Sequence, residues 1–262
     1  MNRKPWQIFP GLFVLALSAV CVWATSAQAQ MSEVKEKPAM YSYVSNWTIP
    51  RAQWGEMAKS AADQDKLMQK GMADGSLVGY GNDQTLIHTV DGETHDDWFS
   101  SMSMAGLLHV LDQLYKQGNA TAPVLSTATK HWDNLYVSHY YNWHSGSWKD
   151  IYTHESIYKL KPDAPAGAVE TLSKNLIVPL MEKMMADGAI HEYEVDTQAI
   201  HTEDPGTFFV VYIAANAEGL DKVNAGLQAA LKANPLGSPA FGSMVDFSAH
   251  RDGLVRTNAT YK

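Results

Sequence analysis

Hydrophobic and polar positions recur with two different periods along the chain, and these periods predict its helices and strands. Apolar residues three or four apart give a helix one apolar face, and they predict helices over residues 51–73, 104–115, 168–186 and 220–233. Alternating or continuously apolar runs predict strands over residues 40–47, 77–89, 98–102, 131–143, 156–160, 190–202, 207–214 and 244–261. In chain order these elements form a β-α-β-β-α-β unit twice.

The second half of the chain repeats the first. Residues 72–114 align with residues 185–227 without a gap, and about fifteen of roughly forty positions are identical. Met-Ala-Asp-Gly and Ile-His-Thr occur in both copies at this offset of 113. A repeat of this length indicates two copies of one supersecondary unit.

The N-terminal residues have the pattern of a secretory signal peptide. Arg3 and Lys4 precede an apolar run over residues 11–23, and Ala27-Gln28-Ala29 is a small-residue cleavage site. We therefore expect cleavage after Ala29 and a secreted or periplasmic mature protein. No later stretch is long and apolar enough to cross a bilayer, so no membrane association is expected after cleavage.

Charge and cysteine content exclude some classes of partner and of metal site. The net charge is −8, and loss of Arg3 and Lys4 with the signal peptide takes it to −10. An acidic surface argues against nucleic acid or an anionic membrane as a partner. The single cysteine, Cys21, lies in the signal peptide, so the mature chain can form neither a disulfide nor a thiolate metal site. No metal site is predicted.

The doubled βαββαβ pattern resembles the dimeric α+β barrel superfamily in its fused form. That superfamily includes stress-responsive barrel proteins, antibiotic-biosynthesis-type monooxygenases and haem-containing chlorite dismutase relatives. The resemblance implies an α+β fold in which two ferredoxin-like repeats pack sheet to sheet as a pseudo-dimeric barrel, with helices outside. The resemblance covers roughly residues 40–262, which divide into repeat 1 over 40–148 and repeat 2 over 149–262. The residues before it are interpreted as a signal peptide over 1–29 and a flexible leader over 30–39. The resemblance carries no reaction across, because no catalytic motif of the family is present.

The first candidates for chemistry are His88 and His201, at equivalent positions late in the second strand of each repeat. Imidazole is a metal or haem ligand, or a base near neutral pH. A pair buried across the pseudo-twofold axis would form a site. The alternative is that each histidine caps its hairpin beside Asp91 or Asp204.

Two further histidines have a carboxylate two residues away, namely His131 with Asp133 and His250 with Asp252. A carboxylate that accepts the imidazole N–H orients the ring, as catalytic dyads require. The alternative is a local hydrogen bond of a turn that begins a strand.

Aromatic residues are the candidates for a ligand pocket. Tyr80 and Tyr193 occupy equivalent strand positions, and Trp132 and Trp143 lie in an aromatic run. These side chains could equally fill the seam between the repeats.

We therefore expect an exported barrel that binds a small apolar or aromatic ligand and has no cofactor of its own. One alternative is a monooxygenase-like enzyme, or an oxidoreductase whose haem is held by His88 or His201. Another is a non-catalytic, stress-related barrel filled by its own aromatic side chains. The sequence leaves open whether the protein is an enzyme and whether the pseudo-dimer oligomerises further.

Overall fold

The computed structural model describes residues 34–90, 92–118, 122–233 and 237–262, so the predicted signal peptide and Cys21 lie outside the described residues. The strands are β1 Met40–Thr48, β2 Gly79–Thr85, β3 His95–Ser101, β4 Lys130–Trp143, β5 Gly146–Lys159, β6 Ile190–Ile200, β7 Thr207–Ala214 and β8 Arg251–Tyr261. The helices are α1 Trp54–Asp74, α2 Met104–Lys116, α3 Ala168–Leu172, α4 Val178–Ala186, α5 Ala217–Ala233 and α6 Gly237–Met244. None of the helices in these ranges is long and apolar enough to cross a membrane.

The eight strands form one closed antiparallel barrel in the order β1-β3-β2-β8-β5-β7-β6-β4. Repeat 1 contributes β4-β1-β3-β2, and repeat 2 contributes the equivalent strands β8-β5-β7-β6. The pairs β2–β8 and β4–β6 join the two repeats, so each repeat closes the sheet of the other. This confirms the predicted pseudo-dimeric α+β barrel.

Helices cover the outer face of each sheet, and their apolar spacing explains why. In α2, Leu107, Val110 and Leu114 lie on one face and are buried. The side chain of Ser103 caps this helix by accepting a hydrogen bond of 3.0 Å from the Gly106 N–H. Strand side chains then alternate between the helix-covered face and the barrel interior.

The predicted helix over residues 168–186 is divided in two. A π-helical turn over Ser173–Ile177 separates α3 from α4, and Pro179 lies in the first turn of α4. Proline has no N–H to donate to residue 175, and its ring would press on that carbonyl in a regular helix. The wider turn just before Pro179 accommodates both effects, so the helix changes its pitch at this point.

Two strand starts in repeat 2 differ most from the prediction. β5 begins at Gly146, ten residues before the predicted strand, because it pairs along its length with β8 and β7. The predicted repeat boundary after residue 148 therefore falls inside β5. β8 begins at Arg251, seven residues after the predicted start at Met244, because α6 extends to Met244 and a 3₁₀ turn follows over Phe247–Ala249.

The described end of the predicted flexible leader runs beside β4. The Lys37 N–H donates to the His139 carbonyl at 2.8 Å, and the Tyr141 hydroxyl donates to the Pro38 carbonyl at 2.8 Å. These bonds hold residues 37 and 38 against the barrel.

Gly188 follows the C-terminal end of α4, and substitution of this residue tests its left-handed backbone conformation. It has a φ of +66°, and the N–H groups of Gly188 and Ala189 return to the carbonyls of Met185 and Met184. Gly188→Val is expected to lower the free energy of unfolding by more than about 1 kcal/mol, because a β-branched residue is strained in this conformation. Chemical denaturation measures the loss. Gly55→Val, at an exposed helical position with open space around it, is the control and should leave stability nearly unchanged.

Candidate functional site

The fold encloses two cavities on opposite faces of the barrel wall. The first, here called the sheet–helix pocket, has a volume of about 500 Å³ and lies between the sheet of repeat 1 and its helices. The second, here called the barrel chamber, has a volume of about 730 Å³ and lies inside the barrel.

Aromatic and small side chains line the sheet–helix pocket. The strands contribute mainly aromatic rings, and α1 contributes alanines that leave space above the sheet. Its lining includes Tyr43, Trp47, Ala58, Ala61, Ala62, Asp65, Tyr80, Asp97, Phe99, Tyr115, His131 and Trp148. Such a surface suits a small molecule with a flat apolar body.

The same space in repeat 2 is filled by side chains. At the offset of 113, Gln64 and Asp65 of α1 correspond to Ile177 and Val178, which are buried in the core of repeat 2. The helix of repeat 2 also packs Leu172 and Leu180 into that core. Two copies of one unit therefore differ, one with a solid core and the other with a pocket.

Tyr80 and Tyr193 show this difference directly. The Tyr80 hydroxyl donates to Asp65 at 2.6 Å, and the equivalent Tyr193 hydroxyl donates to Glu182 at 2.7 Å. Tyr193 is only 1% exposed and belongs to the core, whereas Tyr80 lines the pocket. Burial, and then the bond to Asp65, raises the pKa of Tyr80. Of the two predicted ligand-binding tyrosines, Tyr80 therefore lies where a ligand could touch it.

His131 and Asp133 come together beside the pocket. The His131 ring stacks on Trp47 with the centroids 3.6 Å apart, and its Nδ1 lies 3.0 Å from the Asn46 carbonyl oxygen. Its Nε2 lies 3.5 Å from Asp133 Oδ1, which accepts a hydrogen bond of 3.0 Å from the Ser45 hydroxyl. A carbonyl can only accept, so Nδ1 carries a proton and Nε2 faces the carboxylate.

Repeat 2 contains the same arrangement. His250 Nε2 lies 3.2 Å from Asp252 Oδ1, Ser156 donates to that carboxylate at 2.8 Å, and Tyr158 stacks on the histidine at 4.5 Å. Because His250 packs on the core of repeat 2 through Tyr158, a shared role in beginning the last strand explains both copies. His131 differs from His250 in that it also lines the sheet–helix pocket.

The structure places the other predicted residues away from this pocket. His88 and His201 are both exposed, in the loops after β2 and β6, and His88 lies near the Trp54 ring with the centroids 5.6 Å apart. Trp132 lines the barrel chamber. Trp143 stacks on Tyr261 at 5.7 Å, at one end of the barrel.

Asp97 is a pocket residue that the sequence reasoning missed. It lies on the helix-facing side of β3, opposite Ser45 and Asn82. Burial, and then the charge of Asp83, raises its pKa to about 7. The predicted strand began at Trp98, so the preceding carboxylates were left outside it. Two acidic residues directly before an aromatic strand residue were the available signal.

The barrel chamber is lined by carboxyl groups, which the sequence analysis did not predict. The strands that bound it were expected to be apolar on both faces, and β7 is. Its neighbours and the opposite wall contribute Asp83, Asp96, Glu155, Glu192, Glu194 and Asp196. Acidic residues at alternate positions, as in Glu192, Glu194 and Asp196, share one face of a strand and were the missed signal.

Burial is the main cause of high pKa values in the chamber. It raises the pKa of Asp83 to about 6, of Glu194 to about 7 and of Glu155 to about 8. Asp96 lies directly opposite Asp83 across β2 and β3, and burial followed by the charge of Asp83 raises its pKa well above the ordinary value. Without a ligand, part of this cluster therefore holds protons at neutral pH.

Solved structures share this fold, although no known family profile and no curated protein sequence matches the chain. A candidate monooxygenase from Lactobacillus acidophilus NCFM is 14% identical, with a TM-score of 0.63 over 85% of this chain and 96% of that one. A candidate monooxygenase from Fusobacterium nucleatum is 10% identical, with a TM-score of 0.64 over 86% and 95% of the two chains. An anthrone oxidase-like protein is 10% identical, with a TM-score of 0.50 over 86% and 94%. These likenesses show the fold, a fused α+β barrel.

The residues named for a haem do not fit that group. His88 and His201 are exposed, so neither ring lines the sheet–helix pocket or the barrel chamber. The histidine that lines the pocket, His131, has a backbone carbonyl at Nδ1 and a carboxylate near Nε2, so neither nitrogen points into open space. No step proposed below passes through haem.

The buried carboxyls predict how stability depends on pH. Between pH 6.5 and 8 the folded state holds protons on groups such as Glu155 and Asp97 that the unfolded chain has released, so rising pH lowers stability. Histidines with a lowered pKa, such as His95, oppose this trend only below pH 6.5. The melting temperature should therefore fall across this window. The free energy of unfolding should fall by up to about 1.4 kcal/mol per pH unit for each carboxyl that titrates.

Glu155→Gln is expected to flatten that slope, because an amide cannot release the proton. Glu218→Gln, at an exposed position on α5, is the control and should keep the slope of the original protein. A melting temperature that rises between pH 6.5 and 8 would contradict the buried carboxyls as the cause.

Proposed function

We propose that the protein binds a small apolar or aromatic ligand in the sheet–helix pocket of repeat 1. The observation that carries this proposal is the difference between the repeats, since the space that repeat 2 fills with core side chains is open in repeat 1. A volume of about 500 Å³ suits a molecule of two or three fused rings. The hydroxyl of Tyr80 and the carboxyl of Asp97 would orient polar substituents at its edge.

A second candidate function is oxygenation without a bound cofactor, favoured by Asp97. A carboxyl with a pKa of about 7 in an aromatic pocket can take a proton from an activated CH₂ group of the ligand near neutral pH. Dioxygen would then oxidise the carbanion, converting CH₂ and O₂ to a carbonyl and water. The candidate monooxygenases of the same fold support this reading without assigning a substrate.

Export is also a proposal, which depends on the sequence of residues 1–29 alone. The first residue of the mature protein tests whether the signal peptide is cleaved. Mass spectrometry of the protein recovered from its natural compartment should find a chain that begins at Gln30.

Binding can be measured with 2-naphthol, a neutral two-ring probe. One molecule should bind per chain, because the pocket lies in repeat 1 and the equivalent helix of the described part of repeat 2 packs into the core. Ala61→Phe should weaken binding more than about tenfold, since the new ring occupies the space above the sheet. Ala73→Phe, an exposed position on the same helix that does not line the pocket, is the matched control. Equal affinity of both variants would contradict the proposed site.

The oxygenase candidate is tested by dioxygen uptake with a panel of anthrones, whose ring CH₂ group is activated by the carbonyl. Asp97→Asn should lower the rate by about 10²-fold or more while the naphthol affinity stays within about threefold, because it removes a base and leaves the pocket shape. Asp63→Asn on the exposed face of α1 is the charge-matched control. Uptake that is unchanged in Asp97→Asn would exclude Asp97 as the base.

A further inference from the structure

We propose that the barrel chamber is a second binding site, separate from the sheet–helix pocket, and that it takes an organic cation with primary amine groups. The proposal rests on the charge of the chamber wall, on carboxylate oxygens that have no partner, and on the spacing of the carboxyl groups.

The chamber wall is acidic on four strands. Asp83 comes from β2, Asp96 from β3, Glu155 from β5, and the three remaining carboxyls from β6. Among the described lining residues the basic side chains are Lys159 and Arg251, at the ends of their strands, and Lys159 pairs with Asp204 at 2.6 Å. The interior therefore holds six carboxyl groups without a basic side chain from the protein between them.

Three of these carboxyls have an oxygen with no hydrogen-bond donor within the part of the chain that is described. They are Asp83 Oδ1, Glu192 Oε1 and Asp196 Oδ1. The three residues are 7%, 1% and 2% exposed, so they are buried in the wall of the chamber. A buried acceptor without a donor costs free energy, and a ligand that carries N–H groups would satisfy all three.

The spacing favours ammonium groups over a metal ion. No three carboxylates or histidines of the described residues are grouped closely enough to hold a metal. Primary ammonium groups on a short carbon chain can reach separated carboxylates, with each nitrogen offering three donors. The rings of Tyr136, Phe209 and Tyr261 line the same chamber and offer apolar and cation–π contacts to the chain.

Aromatic rings lie at one end of the chamber, and its mouth is at the other. The Tyr261 ring contacts both Trp98 and Trp143, with ring centroids 5.6 and 5.7 Å apart. The mouth is lined by the loop after β2, where Val90 is 96% exposed, and by Glu203 of the loop after β6. Acidic groups at a mouth of this kind raise the local concentration of cations.

Calorimetry with 1,4-diaminobutane tests the site. We expect saturable binding, and no binding of 1,4-butanediol, which has the same length without charge. The double variant Glu192→Gln/Asp196→Asn should weaken diamine binding more than about tenfold and keep naphthol binding unchanged. Glu218→Gln/Asp221→Asn on exposed α5 has the same charge change and is the control. Equal diamine affinity in both double variants, or tighter binding of Mg²⁺, Ca²⁺ or Mn²⁺ than of the diamine, would overturn the proposal.

A second variant tests the site without a ligand. Val211 faces the chamber between Glu155 and Glu194 on the neighbouring strands. Val211→Lys would place a tethered ammonium among the carboxyls, so we expect a higher melting temperature and the loss of diamine binding. Val210→Lys, directed into the apolar core of repeat 2, is the contrast and should melt far lower. If both lysine variants lose stability alike, the chamber does not accept an ammonium group.

Discussion

Hydrogen bonding between the two repeats is the constraint on which the whole structure depends. β2 pairs with β8 and β4 pairs with β6, and these two seams turn a pair of open sheets into one barrel. Without them each repeat would expose two strand edges and one uncovered sheet face. The barrel chamber exists because the seams enclose it. The lining of the sheet–helix pocket of repeat 1 also includes Trp148 and Asn258, which lie on strands of repeat 2.

The architecture could be predicted from the sequence because the repeat supplied the element order twice. The strand limits could not, since pairing in three dimensions decided them. β5 carries exposed and charged residues such as Lys149 and Asp150 near its start, which weaken a strand pattern, yet pairing with β8 extends it to Gly146. Similarly, the end of α6 at Met244 and the 3₁₀ turn over Phe247–Ala249 occupy the first residues that were assigned to β8.

The candidate site was harder to predict, for physical reasons that differ from residue to residue. His88 and His201 are equivalent and chemically capable, but strands that end at Thr85 and Ile200 leave both in exposed loops. Tyr80 and Tyr193 are equivalent, and each donates a hydrogen bond to a helix carboxylate, Asp65 or Glu182, although these two carboxylates are not at equivalent positions. The packing of the helix above each tyrosine decides which ring borders open space. The acidic chamber was missed because charged residues on a strand are ordinarily assigned to the solvent side.

Fusion of the two repeats into one chain has a consequence for how such a barrel can change over time. In a symmetric pair of identical subunits, every substitution occurs twice, so a pocket opened in one half is opened in the other and the loss of packing is doubled. In the fused chain the dense core around Tyr193 can act as the stable partner while the alanine-rich face of α1 diverges freely. Repeat 2 can thus maintain the stability of the fold, while substitutions in repeat 1 change which ligand its pocket binds.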